Sequence, residues 1–516
     1  MKRYIFLLLT SLLLVSSCEY TDLDLYDNPN AAQPDDADVK FLYNNIQLTF
    51  KDIFEESWKL APLSRMGHTS HFRYEEAFPA QIGDQIWNLA YSGLFPDVDA
   101  IESLSKAKGT YFELGTAKIL KAYVMFALVD IFGDVPSKKA GFGTDIISPP
   151  SEKGAIVYQK AIDLLDEAID VLEKDQVLAI SEDNFYQEDE KKWITLAKTL
   201  KLRAYLNTLK VDGTAKQEIQ EILDEGDIID EEDEDFNFQY GKNSRNPNSQ
   251  HPFYASTYGQ TDLPYMSNYF MWLVVGEKEE IDPRRRFYFY RQVSNSLSLE
   301  EPAYACVFNS GPPDSASYPG HYREIDPKLP YCVADYVGFY GRDHMNGSEI
   351  PPDDIARTSY GMYPGGGAFD RSYFKSLTNR PEEGLNCSGI APIYNSSFTY
   401  FQLSEFALEI DEIGMAWLNL EQAIEHSFLK LDHFIAILDT SQYYDHPLAP
   451  RRWSLGEVFF SKYAETKSAY INAVKRNFDA AINKEQYLDI LAKEYLIALW
   501  GNALDAYNLY RRTGLR

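Results

Sequence analysis

The chain has 516 residues, of which 49 are basic and 78 acidic, so its formal charge is −29 at pH 7. A field this negative repels phosphate backbones and anionic lipid, which argues against nucleic-acid partners and against electrostatic docking on a membrane. The length exceeds that of one ordinary core, so either two cores or one extended repeat array is expected.

The N-terminus has the pattern of a secretory signal peptide. Lys2 and Arg3 precede an apolar stretch that is too short to span a bilayer and that ends in Val-Ser-Ser-Cys. An ordinary cleavage site needs no cysteine, so this ending predicts that residues 1–17 are removed and that Cys18 is lipidated. A lipid would hold the protein on the membrane without spanning it. The alternative is a plain secreted protein with an incidental thiol.

The remaining cysteines do not form a framework. Cys306, Cys332 and Cys387 are an odd number without metal-ligand spacing. One disulfide is possible in an oxidising compartment, with Cys306–Cys332 as the first candidate. No metal site and no cofactor are predicted.

Helical periodicity begins after a polar, extended leader at residues 18–38. The stretch "AKILKAYVMFALVDIFGDVP" is apolar on almost every side and ends in Gly133 and Pro136, which predicts a buried helix. Residues 158–172 place apolar side chains at a spacing of three and four, and "KKWITLAKTLKLRAYLNTLK" repeats that pattern. Consecutive helix pairs of this kind indicate stacked repeats of tetratricopeptide type over residues 39–238.

The middle of the chain has a different composition. Residues 224–235 form an acidic run without calcium-loop spacing, and they are interpreted as a solvated loop. Glycine, proline, tyrosine and asparagine dominate residues 239–398, which predicts an irregular subdomain of turns and short strands. Helical pattern returns in residues 399–516 and completes the repeat stack. The predicted fold class is therefore mainly α, with tetratricopeptide-like helix pairs and a loop-rich irregular subdomain.

Several segments together resemble the SusD/RagB family of outer-membrane nutrient-binding lipoproteins. The similar segments are "LYDNPN", "QIWNLAYSGL", "LKAYVMFALVDIFGDVP", "WITLAKTLKLRAYL", "EIDPRRRFYFY", "FQLSEFALEIDEIG" and "LIALWGNALDAYNLYRRTG". They span almost the whole mature chain in the family's order. Glu412 and its neighbours replace the usual Ala-Glu-Ala, and the chain stops at Arg516 where members usually continue, so a truncated C-terminus is expected.

The resemblance implies a lipid-anchored protein on the outside of the outer membrane. Such a protein pairs with a SusC-like TonB-dependent transporter and presents it with an oligosaccharide or peptide ligand. The acidic residues Glu19, Asp22 and Asp24 after Cys18 are similar to the signal that exports such lipoproteins to the cell surface. Binding residues differ between members of the family, so none is transferred by position.

Candidate ligand-binding residues come from the composition of two loop-like stretches. Sugar binding needs flat aromatic faces with polar groups around them, and loops on a rigid scaffold commonly supply both. Residues 65–78 and residues 336–363 have this mixture. The predicted ligand-binding residues are His71, Phe72, Arg73, Tyr74, Tyr336, Tyr340, Arg342, Tyr360 and Tyr363. Many of these tyrosines could instead pack the core of the irregular subdomain. The tryptophans on helical patterns are assigned to the core: Trp87, Trp193, Trp272, Trp417 and Trp500.

Two other classes of function remain open. A surface glycoside hydrolase would need two carboxylates facing one cleft, and 78 acidic residues leave such a pair possible. The sequence has no G-x-S-x-G elbow, no H-E-x-x-H helix and no P-loop, so no catalytic residue is predicted. His68 and His71 could ligate a metal, but no third ligand stands nearby. A repeat scaffold that binds protein partners is the third class.

Overall fold

A computed structural model describes residues 38–137, 149–178, 181–258, 264–290, 332–333, 339–342, 344–345, 358–366, 388–437, 443–444, 453–454 and 460–514. The predicted signal peptide, the lipidation site Cys18 and the leader lie outside these residues, as do Cys306, Cys387 and Tyr336. Cys332 and Tyr340 are described as strand backbone only.

The first half of the described chain is helical. The helices are α1 (Val39–Glu56), α2 (Tyr74–Ala77), α3 (Asp84–Leu89), α4 (Phe95–Lys108), α5 (Tyr111–Phe132), α6 (Gly154–Leu172), α7 (Glu190–Thr208) and α8 (Ala215–Glu225). Short 3₁₀ turns span Ser57–Leu60, Ala80–Gly83 and Glu232–Glu234, and a π-helical turn spans Ala90–Leu94.

Short helices and strand pairs make up the middle of the described chain. The helices are α9 (Pro252–Thr257), α10 (Asn268–Val275) and α11 (Arg285–Tyr288). The antiparallel pairs are β1 (Phe236–Gln239) with β6 (Ile390–Tyr394), β2 (Phe289–Tyr290) with β5 (Ser359–Tyr360), β3 (Cys332–Val333) with β4 (Phe339–Tyr340), and β7 (Tyr443–Tyr444) with β8 (Trp453–Ser454). The sequence predicted turns and strands here, and the structure adds these three helices.

The C-terminal helices complete the stack. They are α12 (Ser396–Glu409), α13 (Ile413–Ile437), α14 (Tyr463–Ala480), α15 (Lys484–Ala498) and α16 (Ala503–Thr513), with a 3₁₀ turn at Phe460–Lys462. The helix pairs with the most extensive contacts are α5 with α6 and α12 with α13, which are neighbours in sequence. This pairing of consecutive helices confirms the predicted mainly α, tetratricopeptide-like fold.

The helix predicted to be buried is α5. It begins at Tyr111 and ends at Phe132, and nearly all of its side chains are buried. It contacts α1, α4, α6 and α7, so it has no solvent face, which explains why its sequence is apolar on almost every side. Gly133 follows with a φ of 82°, a conformation that glycine adopts without a Cβ penalty, and it ends the helix.

One continuous apolar core runs through the described helices and strands, from Val39 to Leu509. Trp500 is fully buried within it, and its ring lies 5.5 Å from Trp58 of the first helical layer and 5.7 Å from Tyr288 of the middle region. Trp193, Trp272 and Trp417 are buried as predicted, and Trp87 is partly buried against the same core. Most of the described residues therefore share one main core, and Tyr258, Tyr290 and Met362 form a second, small cluster.

The acidic run at residues 224–235 is only partly the solvated loop that the sequence predicted. Asp224 and Asp233 are exposed, but Asp235 is buried. Its carboxylate accepts a hydrogen bond from the Ser396 amide at 2.6 Å and pairs with Lys430 at 2.8 Å. Burial raises the pKa of Asp235 above its ordinary value, and the Lys430 ammonium opposes that rise. The end of the run thus joins β1 to the C-terminal helices.

A buried ion network attaches the middle region to the C-terminal helices. The side chains of Arg284, Asp282 and Glu494 are fully buried. Arg284 Nη2 lies 2.6 Å from Asp282 Oδ2 and 3.2 Å from Glu494 Oε2, and Lys278 lies 2.8 Å from Glu494 Oε1. Buried charges need such partners, because each ion loses its hydration on folding. The "IDPRR" turn is therefore held against α15 by charge as well as by packing.

Candidate ligand-binding face

The first candidate stretch, residues 65–78, has a fixed base and an exposed tip. At its base, Arg65 donates its amide to Pro62 at 3.1 Å, and Gly67 donates to Ala61 at 3.0 Å. A Cβ on Gly67 would lie 3.1 Å from the Ala61 Cβ, so glycine suits this close turn. All side chains from residue 70 to residue 76 are exposed. Because the sequence predicts ligand-binding residues in this stretch, we call residues 65–78 the binding loop.

Aromatic side chains form the exposed surface of the binding loop. Phe72 is 66% exposed and Tyr74 is 50% exposed. The short helix α2 places Tyr74 and Phe78 four residues apart, and their rings stack with centroids 5.8 Å apart at 22°. Large apolar rings in water cost free energy unless something covers them. The tip of the loop is therefore an open aromatic platform.

The second candidate stretch lies beside the first. Gly67 forms an antiparallel bridge with Met266, and Ser267 forms a parallel bridge with Arg342. The Arg342 amide donates to Met266 at 2.9 Å, and the Met345 amide donates to Thr69 at 3.0 Å. Residues 264–268 thus connect the binding loop to residues 339–345.

A side-chain contact also joins the two stretches. The Tyr74 hydroxyl and Nε2 of His344 are 3.0 Å apart, which is hydrogen-bond distance. Which of the two atoms donates depends on the tautomer of the histidine. The contact fixes one edge of the aromatic platform to the second stretch.

The predicted binding residues divide into an exposed group and a buried group. His71, Phe72, Arg73 and Tyr74 are exposed on the binding loop. The buried group corrects the sequence-based expectation of one open face, since Arg342, Tyr360 and Tyr363 are 2%, 7% and 4% exposed. Tyr336 and the side chain of Tyr340 are outside the described part of the chain.

The buried group has specific packing partners. The Tyr360 ring lies 5.3 Å from Trp58, 5.7 Å from Phe253 and 6.1 Å from Trp500. Its hydroxyl accepts a hydrogen bond from the His68 amide at 3.2 Å, and burial raises the pKa of Tyr360 to about 12. Tyr360 therefore supports the binding loop from below instead of contacting a ligand.

Tyr363 and Arg342 are also enclosed. The Tyr363 ring lies 6.0 Å from that of Tyr288, within the core. The guanidinium of Arg342 lies 4.5 Å from the centre of the Tyr265 ring, and its Nη2 is 3.3 Å from the Tyr265 hydroxyl. Such a stacked arginine positions its aromatic partner. Both side chains are packing elements of the second stretch.

Three residues belong to this face although the sequence did not single them out. Phe78 forms the base of the aromatic stack, His344 contacts Tyr74, and Tyr265 stacks under Arg342. Phe78 and His344 lie within the two candidate stretches, residues 65–78 and 336–363. Both are aromatic, so the composition of these stretches points to them as well. Tyr265 carries no local signal, because its place depends on the pairing of Gly67 with Met266.

The described residues contain no metal-ligating cluster at this face or elsewhere. Nδ1 of His71 lies 3.2 Å from the Thr69 hydroxyl, so the ring has a local hydrogen-bond partner. In the same described part of the chain, no helix combines the length and hydropathy that crossing a bilayer requires.

The described residues thus form a helical repeat scaffold that carries an exposed aromatic platform on one loop. The family profile described as "Starch-binding associating with outer membrane", of SusD-like type, matches residues 36–317, more than half of the chain. The chain belongs to this SusD-like family of outer-membrane-associated binding proteins. No curated protein matches the chain.

Solved structures of other SusD-like proteins have the same fold. A SusD homolog from Bacteroides ovatus ATCC 8483 is 19% identical with a TM-score of 0.57, over 93% of this chain and 86% of that one. A chitin-binding SusD homolog from Flavobacterium johnsoniae is 19% identical with a TM-score of 0.55, over the same shares of the two chains. A Bacteroidetes SusD-like protein, AC2a, is 14% identical with a TM-score of 0.60, over 93% of this chain and 89% of that one.

Proposed function

We propose that this protein is a lipid-anchored glycan-binding protein of the cell surface, which captures oligosaccharides on the binding loop and delivers them to a SusC-like TonB-dependent outer-membrane transporter. One observation carries the proposal: Phe72 and Tyr74 present aromatic faces to solvent on a loop that hydrogen bonds hold at Gly67, Thr69 and Tyr74. Membership of a family described as starch-binding supports the choice of a glycan, and so does the chitin-binding homolog.

The chemistry of the platform suits a sugar ring. One side of a pyranose is largely C–H and stacks on an aromatic face, while its hydroxyls need hydrogen-bonding groups around the rim. His71 and Arg73 are exposed on the same loop, and the Tyr74 hydroxyl is within hydrogen-bond distance of His344. An open platform encloses little of its ligand, so we expect dissociation constants of about micromolar to millimolar.

The proposed role is non-catalytic. Stacking on an open platform holds a ligand without straining it, and the description of the family as starch-binding supports a binding role. The ligand reaches the transporter unchanged in this scheme. A peptide ligand could use the same aromatic rings, and binding assays distinguish it from a glycan.

The proposed location rests on the N-terminal sequence and the family. The family associates with the outer membrane. Cys18 directly follows the predicted signal peptide, and a lipid on this residue would anchor the mature chain at the cell surface. The division into an extended leader (18–38), an N-terminal repeat region (39–238), an irregular ligand-facing subdomain (239–398) and C-terminal helices (399–516) is part of the same proposal.

Binding to a panel of oligosaccharides, with chromatography of the recovered sugars, tests this function. The expected result is binding of at least one glycan that is recovered intact. Release of shorter products would identify a hydrolase, and binding of peptides alone would show that the ligand is a peptide instead of a glycan.

A second experiment tests the partner. Detergent extraction and affinity purification of the tagged, full-length protein should recover a TonB-dependent transporter. Repeated recovery of the protein alone would contradict the proposed delivery step.

A further inference from the structure

A cleft of about 270 Å³ opens where four helices end. The C-terminal ends of α5, α7 and α16 and the N-terminal end of α6 surround it, and none of the described residues that line it belongs to the binding loop. A cavity of about 150 Å³ already accommodates a benzene ring, so this cleft is large enough to accept one amino-acid side chain.

The floor of the cleft is polar, and its groups bond to one another. Asp130, Tyr158 and Asn508 are 7%, 7% and 4% exposed. The Asp130 carboxylate accepts hydrogen bonds from the Tyr158 hydroxyl and, at 2.8 Å, from the Asn508 amide group. These groups already satisfy one another, so what the cleft offers to a ligand lies at its rim.

Aliphatic side chains form one part of the rim. Val129, Ala155 and Val211 line the cleft, and Val211 is 87% exposed. A single exposed valine is ordinary on a protein surface. This one lies at the edge of a concave site, where an apolar group from a partner would be covered on several sides.

Two cations without a carboxylate partner form the other part of the rim. Arg511 lines the cleft and donates a hydrogen bond from Nη1 to the Asp130 carbonyl oxygen. Lys210 donates from Nζ to the Arg512 carbonyl oxygen at 2.7 Å. Both Arg511 and Lys210 are exposed, and in the described part of the chain neither lies within ion-pair distance of a carboxylate. Each therefore keeps N–H donors and a positive charge for a ligand.

The neighbouring charges are already engaged. Arg512 donates to both carboxylate oxygens of Glu405, at 2.7 and 2.8 Å. One carboxylate oxygen of Asp212 accepts hydrogen bonds from the Thr214 amide at 2.9 Å and from its hydroxyl at 2.8 Å. The cations of the rim are thus available to an anionic group, although the chain as a whole has a formal charge of −29.

We propose that this cleft is a docking site for a protein segment that carries an apolar side chain next to a carboxylate. The apolar side chain enters the cleft against Val211, and the carboxylate pairs with Arg511 and Lys210. A glycan would find no aromatic face here, since the exposed apolar groups are aliphatic. An anionic membrane is repelled by the negative charge of the whole chain. The docking site is separate from the proposed glycan site, so either proposal can fail alone.

Selection from a random heptapeptide phage library on the detergent-solubilised, full-length protein tests this inference. The library is first depleted on the Lys210→Gln/Arg511→Gln double variant, so that peptides that bind elsewhere are removed. The peptides enriched on the wild type should carry leucine, isoleucine, methionine or phenylalanine beside aspartate or glutamate. An enriched peptide should bind at least ten-fold more tightly in calorimetry than its counterpart with asparagine or glutamine in place of the acidic residues.

Substitutions in the protein then locate the peptide. The Lys210→Gln/Arg511→Gln double variant should weaken binding of the enriched peptide at least ten-fold, and Val211→Ser at least three-fold. Arg245→Gln and Val177→Ser are the matched controls at exposed positions outside the cleft, and they should stay within two-fold of the wild type. Melting temperatures check the fold of each variant, and the peptide comparison on the wild type does not depend on them.

Defined outcomes would overturn the inference. No enrichment after depletion rejects the docking site, and so do enriched peptides without acidic residues. Equal affinity for the acidic and the amide peptides rejects the role of the two cations. Binding to phosphatidylglycerol vesicles that the double variant loses, without peptide binding, would assign the cleft to a lipid and reject a protein partner.

Discussion

The hydroxyl of Tyr74 lies 3.0 Å from Nε2 of His344, although the two residues are 270 positions apart in sequence. The neighbouring Met345 amide donates a hydrogen bond to the Thr69 carbonyl, also at 3.0 Å. This backbone hydrogen bond joins the same two segments as the side-chain contact. A flexible loop would pay a large entropic cost on holding a ligand. The two bonds reduce that cost in advance, because they fix the aromatic platform before any ligand arrives.

The exposed and the buried tyrosines should respond differently to truncation. Tyr74→Ala should weaken oligosaccharide binding by roughly 1–2 kcal/mol, the order expected for losing an aromatic contact, with little change in melting temperature. Tyr360→Ala should instead lower the free energy of unfolding by about 3–5 kcal/mol, because its ring fills the core between Trp58 and Trp500. Calorimetric titration and urea denaturation measure the two effects.

Phe41 supplies the matched control for Tyr74. It is 78% exposed near the start of α1, about 22 Å along the helix axis from Glu56, where the chain turns toward the binding loop. Phe41→Ala should leave sugar binding unchanged. Normal binding by Tyr74→Ala would show that the ligand lies elsewhere.

The Tyr74–His344 contact should appear as a coupling energy. Tyr74→Phe keeps the stacking ring and removes the hydroxyl, and His344→Ala removes its partner. In a double-mutant cycle on sugar binding, the two changes should be less than additive by about 0.5–1.5 kcal/mol, the net value of one hydrogen bond. Additive effects would mean that the contact does not position the platform. Melting temperatures of the four proteins serve as the check on folding.

Much of the helical architecture could be predicted from sequence because its signals are local. The all-round apolar character of α5 and the spacing along α6 and α7 each reflect which faces of a single helix are covered. Such patterns predict that Trp193 and Trp500 belong to the core, and both are fully buried. A helix carries its burial pattern within about four turns, so no distant residue is needed to interpret it.

The binding face could be predicted only in part because its construction is not local. Glycine and tyrosine around Tyr360 suggested an exposed loop, yet this residue pairs with Phe289 in a strand and fills the space beside Trp500. Asp235 stands in an acidic run but meets Lys430 and the Ser396 amide. Such pairings join segments far apart in sequence, and composition cannot reveal them.

The buried network around Arg284 should dominate the stability of the middle region. Arg284→Met leaves the carboxylates of Asp282 and Glu494 buried without their main counter-ion, so the free energy of unfolding should fall by about 3–5 kcal/mol. Arg476→Met is the matched control, since Arg476 pairs with Glu279 at 3.6 Å on the surface and should matter little. Urea denaturation compares them. Equal, small losses in both variants would show that the network is not a stabilising element.

Membrane attachment should depend on one residue. If Cys18 is the lipidated position, Cys18→Ala should move the protein from the membrane fraction to the soluble fraction, because the lipid on this residue is the proposed anchor. Cys387→Ala should leave the protein on the membrane and serves as the control for losing a thiol. A Cys18→Ala protein that stays membrane-bound after high-salt washing would refute lipid anchoring at this position.

His251 should make the protein sensitive to acid. Its ring is buried, and Nδ1 accepts a hydrogen bond from the Phe253 amide at 3.1 Å, which requires the neutral form. Burial lowers the pKa of His251 to about 3, whereas a histidine in the unfolded chain titrates near 6.5. Between these values the unfolded chain binds one more proton than the folded chain. Stability from this group is therefore complete above about pH 6.5 and decreases as the pH falls toward about 3.

His251→Asn should reduce that dependence on pH, because asparagine can accept the same amide hydrogen bond and does not titrate. The variant loses ring packing against Tyr240, so its free energy of unfolding should be lower than that of the wild type at pH 7.5. The drop between pH 7.5 and pH 4.5 should, however, be smaller by about 2–3 kcal/mol. Urea denaturation at both values measures this difference, with the exposed His71→Asn as control. Parallel pH profiles for wild type and His251→Asn would show that His251 does not cause the acid sensitivity.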